Sequence, residues 1–507
     1  MTPHSLKENR IRILICLCAF VFAIGVMLAH RPWSQIEVGD EAIWDYIAQS
    51  IVRGQVPYRD VVEIKTPLSA YLGALAIVGG KLVGMRDVMG IRAMQVGLVG
   101  LLSAITFLAG EEYLRDRNAA LVGFLVPLGF WHFAEWMVAG TEPKLSMILF
   151  GMLALLLFAR DRTFSAGVCS MLSCLCWQPG LLFTGAIFLV ASRYFTKWRD
   201  GRALQVIAGA MLPLVILFAY FYGVGALGDL WDWTIRYNYN VYAYESMKAS
   251  SLIHVWRVLN RVLGAGIVIL ALSIIGFVMF AAERIRDRVR IKAEPPGDSF
   301  RDALLISVAV YFLFCLINFQ SGPDLIPLFP FIGLFVGWFF VRVFGLLMKR
   351  PKFSGKAIVR AAPDILPRLA FLTVALLVFY RSLAFRFEHQ SDIQDQERAF
   401  AVVADRLTPG DKIYVHGTVE LLVLLNRANL NPYIFLDRGK DDYVARKLRE
   451  DFRSVVDQTE SMSPKVVALS RLAKVAHRAD LEDLVRVGYE KLEVPGYDGI
   501  YVHNDDR

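Results

Sequence analysis

The chain has 507 residues, 56% of them hydrophobic and only 20% charged, with a mean hydropathy of +0.45. Several apolar runs reach or approach the roughly 20 residues that cross a bilayer, which excludes an ordinary soluble domain. The net charge of +8 does not call for nucleic acid, because Lys and Arg concentrate in short loops where they set membrane orientation.

In chain order, Lys7, Arg10 and Arg12 precede a long apolar run with no clear small-residue cleavage site after it, so the N-terminus reads as a first span and not a cleaved signal. About eleven spans are predicted, at 12–29, 90–109, 119–137, 144–159, 164–177, 180–195, 204–224, 260–282, 302–318, 325–341 and 369–385. The segment Leu68–Val83 is apolar but short and rich in Gly and Ala. If it crosses, the loops carrying Asp40 and Glu142 fall on opposite sides. If it lies at the interface as a re-entrant helix, the basic loops all fall with the N-terminus, which the positive-inside rule favours. The expected fold class is therefore an α-helical polytopic membrane protein over residues 1–385, with interfacial helices in the first outer loop. Residues 349–368 read as a basic, proline-containing linker on the inner side. Residues 386–507 form a small outer α/β domain, with strands expected at Lys412–His416, Tyr433–Leu436, Lys465–Leu469 and Gly499–His503. Helices are expected there at Val419–Arg427, Asp442–Val456 and Asp480–Val487. The six cysteines all lie in apolar segments without a Cys-x-x-Cys pair, and read as membrane packing.

The chemistry-bearing residues sit in the outer loops. Loop one holds Asp40-Glu41 at the start of a helical run, then Gly54-Gln55-Val56-Pro57-Tyr58-Arg59-Asp60 and Lys65-Thr66-Pro67-Leu68. So many charges between apolar spans are costly unless they face water at a membrane surface and serve a purpose there. Asp40 reads either as a helix cap or as an ionised base favoured by the positive helix end. Loop two holds Glu142 before Pro143, which suits a first helical turn. Glu135 is a weaker acid candidate. Arg53 and Arg59 stand near the loop-one acids and can pair with Asp60 or Glu63. The loop at 225–259 contains Trp231-Asp232-Trp233-Thr234-Ile235-Arg236-Tyr237, which suits a membrane-interface aromatic belt, with Arg236 a candidate phosphate ligand. Gln320 to Asp324 precedes the tenth span. The eight histidines are dispersed without ligand spacing, and Walker and dinucleotide glycine patterns are absent.

The acidic pair after the first span, the Gly-x-x-Pro-Tyr-Arg-Asp string and Lys65-Thr66-Pro67-Leu68, in this order, resemble the first outer loop of GT-C glycosyltransferases. The branch is that of the protein O-mannosyltransferases and lipid A aminoarabinose transferases, and the resemblance is strongest over about residues 35–200. It implies transfer of a sugar from a polyprenyl-phosphate donor to an acceptor hydroxyl, with inversion. Asp40 would be the base, with Glu142 a second catalytic acid in the facing loop and Lys65 a phosphate contact helped by Arg59 and Arg236. Glu41, Tyr58 and Gln320 would support them. Two departures stand out: Thr66 replaces a frequent second proline, and Gln320 and Asp324 stand where a donor-contacting His or Tyr often occurs. The lipid-linked sugar is the expected co-substrate; no further cofactor is assigned, and a divalent cation at the acidic motif is left open. The expected partners are the polyprenyl-phosphate sugar, a glycan, lipid or protein acceptor, and membrane lipid. The expected location is a bacterial inner membrane, with the N-terminus cytoplasmic and the C-terminal domain periplasmic. The competing class is a multi-span lipid or solute transporter; against it, no inverted repeat is visible and charges gather in loops, not at mid-span.

Overall fold

The computed structural model describes residues 3–192, 201–242, 252–290, 300–348, 380, 392–449 and 451–504. Among the described residues, five helices are long and apolar enough to cross a membrane, with spans Glu8–Ala29, Asp87–Leu114, Arg202–Gly223, Leu252–Val289 and Gly322–Gly345. A sixth candidate span is broken: helix Arg117–Leu128 meets Trp131–Ala139 at 66°. Pro127 inside the first half and Gly129 at its end account for the kink. Shorter apolar helices occupy Pro143–Ala159, Thr163–Cys176 and Gln178–Ser192, where spans were expected. Helix Arg301–Ile317 fills the position of the ninth. The expected eleventh span at 369–385 lies outside the described residues apart from Tyr380, as does the linker expected at 349–368.

These helices pack through small residues. Helix Thr163–Cys176 crosses Arg202–Gly223 where a Cβ on Gly167 would sit 2.2 Å from the Val206 carbonyl oxygen, and one on Gly209 would sit 2.1 Å from that of Phe164. Backbone contact of this kind is how helices associate where lipid is as apolar as the side chains.

The first long loop carries two helices, here α1 (Gly39–Val52) and α2 (Leu68–Leu82). At 15 residues, α2 is about 22 Å long, short of the roughly 30 Å hydrocarbon core. The loop expected over 225–259 is largely helical where it is described. Helix Leu227–Trp231 runs into a π-helix at Asp232–Tyr242, and another helix covers Leu252–Leu263. Its aromatics explain the difference. Trp233 and Tyr237 are fully buried against Tyr443 of the C-terminal domain, while Trp231 and Tyr239 remain exposed. Only part of the segment is free to form an interface belt.

The C-terminal domain is built on a four-stranded sheet, β1 (Ile413–His416), β2 (Val466–Leu469), β3 (Tyr489–Lys491) and β4 (Ile500–His503), in the order β1-β2-β4-β3. The β1–β2 pair is parallel and the other two are antiparallel. The strand expected at Tyr433–Leu436 does not form. Its amide and carbonyl groups are satisfied locally, with Leu436 N–H donating to His416 Nε2 and Gly417 N–H donating to the Ile434 carbonyl. The long helix expected at Asp442–Val456 is two, Lys440–Leu448 and Phe452–Ser461, broken where Arg449 turns left-handed.

This domain shares its core with the first loop. Trp44, Tyr46 and Ile47 of α1 join Val415, Leu421 and Val466 in one apolar cluster. Buried hydrogen bonds fix the contact: Gln49 Nε2 donates to the Val423 carbonyl, Asn429 N–H to Tyr46 Oη, and Gln396 reads both the amide and the carbonyl of Glu37. The sheet domain and the first loop therefore form one body against the helical bundle.

Candidate functional site

Between α1, the Lys65 segment and the C-terminal domain lies a cavity of about 510 Å³, within the 300–1,000 Å³ usual for ligand sites. Its lining includes Asp40, Glu63, Lys65, Tyr242, Gln320 and, from the C-terminal domain, Arg438.

Asp40 stands in the first turn of α1. The N-cap is Val38 and no side chain caps the helix, so Asp40 is not used as a cap. Its side chain is 68% exposed, into the cavity, and Lys65 Nζ lies 3.6 Å from Oδ2. Lys65 holds the Asp40 carboxyl below its ordinary range, more than burial raises it. Burial opposes the charge on Lys65, but Asp40, Glu63 and other neighbours outweigh it and raise its pKa. Both groups are therefore charged at neutral pH.

The lysine is held from every side. Its ammonium sits 5.1 Å from the Trp44 ring centre. Its amide donates to Glu63 Oε1 at 3.1 Å, and its carbonyl accepts from Tyr58 Oη at 2.7 Å. Tyr58 adopts φ +71° within a tight turn, where its N–H donates to the Val61 carbonyl and Asp60 Oδ2 accepts from Val56 N–H. The next residues are tied to the bundle by Thr66 Oγ1 donating to the Cys174 carbonyl and Gln178 Nε2 donating to that of Ile64. Pro67 then caps α2.

Glu142 is the N-cap of helix Pro143–Ala159, accepting from Lys144 N–H at 2.9 Å. It is nearly fully buried and is not part of the cavity lining. Lys144 Nζ bridges Glu142 at 3.7 Å and Asp324 at 3.9 Å, and Asp324 accepts from Gln320 N–H and Ser321 N–H. The second-loop acid is thus coupled through Lys144 to the loop that carries Gln320. The close approach of loop two to α1 requires Gly140: a Cβ there would meet Asp45 Oδ2 at 2.8 Å and Glu41 Cβ at 3.1 Å. Behind Asp40, burial and the neighbouring Glu142 and Asp40 push Glu41 up to about 8, and burial with Asp45 pushes Glu37 up to about 8.

Other expected residues fall elsewhere. Arg59 pairs with Asp60 at 2.9 Å and donates to the Val224 carbonyl, and Arg236 pairs with Asp232 at 2.8 Å. Neither lines the cavity. Arg53 donates to Asn426 Oδ1, and Glu135 lies 3.3 Å from His132. Gln320 does line the cavity, its Oε1 accepting from Tyr242 Oη and from Arg438. Sequence reasoning missed Arg438, Lys440, Arg471 and Lys474, because nothing local ties these residues to a site more than 350 positions earlier. The basic turn Asp437-Arg438-Gly439-Lys440 was the available signal. Among the described residues, no group of three or more His, Cys, Asp or Glu is arranged to hold a metal ion.

A many-helix bundle whose first long loop carries the acidic pair against a C-terminal domain is a fold shared with solved structures. Among solved structures, ArnT from Cupriavidus metallidurans bound to undecaprenyl phosphate matches with a TM-score of 0.62 at 13% identity, over 99% of this chain and 98% of that one. The apo form of the same protein gives 0.63 at 14%, over 98% of each chain. The archaeal oligosaccharyltransferase AglB from Archaeoglobus fulgidus, in complex with an inhibitory peptide and a dolichol-phosphate, gives 0.54 at 12%, over 99% of this chain and 75% of that one. At these identities the likeness is one of fold. No family model matches the sequence, and no curated protein matches it.

Proposed function

We propose that the protein is an integral-membrane glycosyltransferase that moves a sugar, a hexose or pentose, from a polyprenyl-phosphate donor to an acceptor hydroxyl. The observation that carries this reading is the Asp40–Lys65 pair, at 3.6 Å, facing a ligand-sized cavity from a rigidly held loop. In the proposed step, Asp40 takes the proton of the acceptor hydroxyl as its oxygen bonds to the anomeric carbon. The bond from that carbon to the phosphate oxygen breaks in line, the electron pair leaves with the polyprenyl phosphate, and the anomeric configuration inverts. Lys65 offsets the charge that gathers on the departing phosphate. Tyr58 positions Lys65, and Glu142 acts through Lys144 and Asp324 on the loop of Gln320. ArnT bound to undecaprenyl phosphate and AglB bound to a dolichol-phosphate share the fold, which supports a polyprenyl-phosphate ligand here. The distribution of Lys and Arg supports a bacterial inner-membrane location, with the cavity on the periplasmic side. The acceptor is a glycan, a lipid or a protein.

The test is transfer from a panel of radiolabelled polyprenyl-phosphate sugars to an envelope acceptor extract, with purified wild type and Asp40→Asn in liposomes. Transfer by wild type that is lost in a folded Asp40→Asn protein supports the assignment. Undiminished transfer by Asp40→Asn removes Asp40 as the base.

A further inference from the structure

The C-terminal wall of the cavity carries four cations, Arg438, Lys440, Arg471 and Lys474, and with Lys65 the lining holds five basic side chains against the acidic Asp40, Glu63 and Asp437. Their surroundings differ. Lys440 is paired with Asp437 at 2.9 Å. Arg438 donates to two neutral acceptors, Gln320 Oε1 at 2.6 Å and Tyr242 Oη at 3.2 Å, and its nearest carboxylate, Asp437, is 3.8 Å away. Arg471 lies over the Phe435 ring at 5.5 Å, with no carboxylate at ion-pair distance among the described residues.

Both arginines occupy left-handed backbone. Arg438 has φ +58° and Arg471 has φ +56°, a left-handed conformation that a side chain-bearing residue adopts only where its surroundings impose it. For Arg438 the imposing contacts are visible. Tyr237 Oη donates to its carbonyl at 2.9 Å, and Gly439 follows at φ +72°, where a Cβ would sit 3.1 Å from Val241 Cγ1. The π-helix thus grips the turn and aims its guanidinium into the cavity.

We infer that the C-terminal domain supplies one half of an anion site, in which Arg438 and Arg471 face a phosphate-class anion held against Lys65 of the first loop. The inference rests on the transferase reading above and deepens it. It assigns the second cationic arm to the soluble domain, a role that Arg59 and Arg236, each paired outside the cavity, do not fill. The same chemistry has two sources, the phosphate of the lipid donor or an anionic group on the acceptor.

The experiment is equilibrium binding to full-length protein in nanodiscs, with undecaprenyl phosphate and, separately, the water-soluble monoester glycerol 3-phosphate as probes. The variants are Arg438→Gln, Arg438→Lys, Arg471→Gln and Lys65→Gln, with Arg478→Gln, an exposed residue paired with Glu482, as the control. Loss of one charge-assisted contact should weaken undecaprenyl phosphate binding about tenfold or more in Arg438→Gln. Arg438→Lys should recover part of that loss, and the control should bind as wild type. Should Arg438→Gln fail to fold, Arg471→Gln, which gives up only a ring contact, carries the test with the same expected direction. If both arginine variants bind as wild type while Lys65→Gln does not, the inference is overturned and the transferase reading stands. If wild type binds only glycerol 3-phosphate, and loses it in the arginine variants, the anion arm stands and the lipid-phosphate donor falls. If neither probe binds, both fall.

Discussion

The two walls of the cavity present opposite physical problems. The first-loop wall is a helix terminus with carboxylates behind it: Asp40 faces the cavity, while Glu41, Asp45 and Glu37 lie outside its lining, Asp45 and Glu41 close to Gly140 and Glu37 paired with Arg92 at 2.6 Å. The C-terminal wall is two left-handed turns with a surplus of positive charge. One wall concentrates groups that can accept a proton and the other concentrates groups that can hold an anion. A displacement between an acceptor hydroxyl and a phosphate leaving group requires both kinds of group, and Lys65 of the first loop stands between the two walls.

The sharpest way to break this division is Asp40→Asn. If the first-loop wall supplies the base, sugar transfer should fall by about 10²–10⁴-fold with the fold retained, because the Asp40 side chain caps nothing and only its 3.6 Å pair with Lys65 is lost. Lys65→Gln comes next, at about 10²-fold for loss of one group aimed at developing charge. It has a second signature. Lys65 is the largest cause of the lowered Asp40 pKa, so its removal should move the acid limb of the pH–rate profile to higher pH. An unmoved limb would separate the two residues functionally. Gly140→Ala tests whether the crowding behind the wall matters. The added methyl would sit 2.8 Å from Asp45 Oδ2, and the overpacking should cost about 1–3 kcal/mol in unfolding experiments. Tyr58→Phe should have a smaller effect. It removes one hydrogen bond to the Lys65 carbonyl, worth about 0.5–1.5 kcal/mol, and should slow transfer severalfold while leaving the pH profile in place.

The unequal legibility of the walls has the same origin. Asp40, Tyr58 and Lys65 lie within 26 positions of one another, between apolar spans that make any charge conspicuous, so local pattern and family resemblance reach them. The β1, β2 and β4 strands and the small α/β character of the C-terminal domain follow from alternation and spacing in the same way. Arg438 and Arg471 are ordinary charges in an ordinary polar stretch, and only the docking of the sheet domain on α1 makes them part of the cavity wall. The missing strand at Tyr433–Leu436 failed for a related reason: a buried histidine, His416, satisfies the backbone that a ladder would otherwise have paired. Glu142 was placed correctly as the acid beside a helix start, but its burial, and its link to Gln320 through Lys144, are tertiary facts. The aromatic run at 231–240 was split between solvent and core by the π-helix, which puts Trp233 and Tyr237 on the C-terminal domain.

The smallest expected effect sharpens the comparison most, because it concerns charge that the protein keeps off. With Glu41 pushed up to about 8 by burial and by its acidic neighbours, the folded protein binds a proton there that the unfolded chain, titrating near 4.5, has released. Between those values the native state holds more protons than the unfolded state, so this group's contribution to stability is full below about pH 4.5 and declines as pH rises toward 8. Glu37, raised to about 8, and Asp45, raised to about 6, act in the same direction. Glu41→Gln should therefore reduce, without abolishing, the decline of the unfolding midpoint across this window, and should be relatively stabilising above pH 8. Transfer activity at neutral pH should change little, since Asp40 keeps its own cationic partner. A Glu41→Gln protein with the wild-type slope would mean that the carboxylates behind Asp40 are ionised and hydrated, and the contrast between an acid-storing wall and an anion-holding wall would be lost.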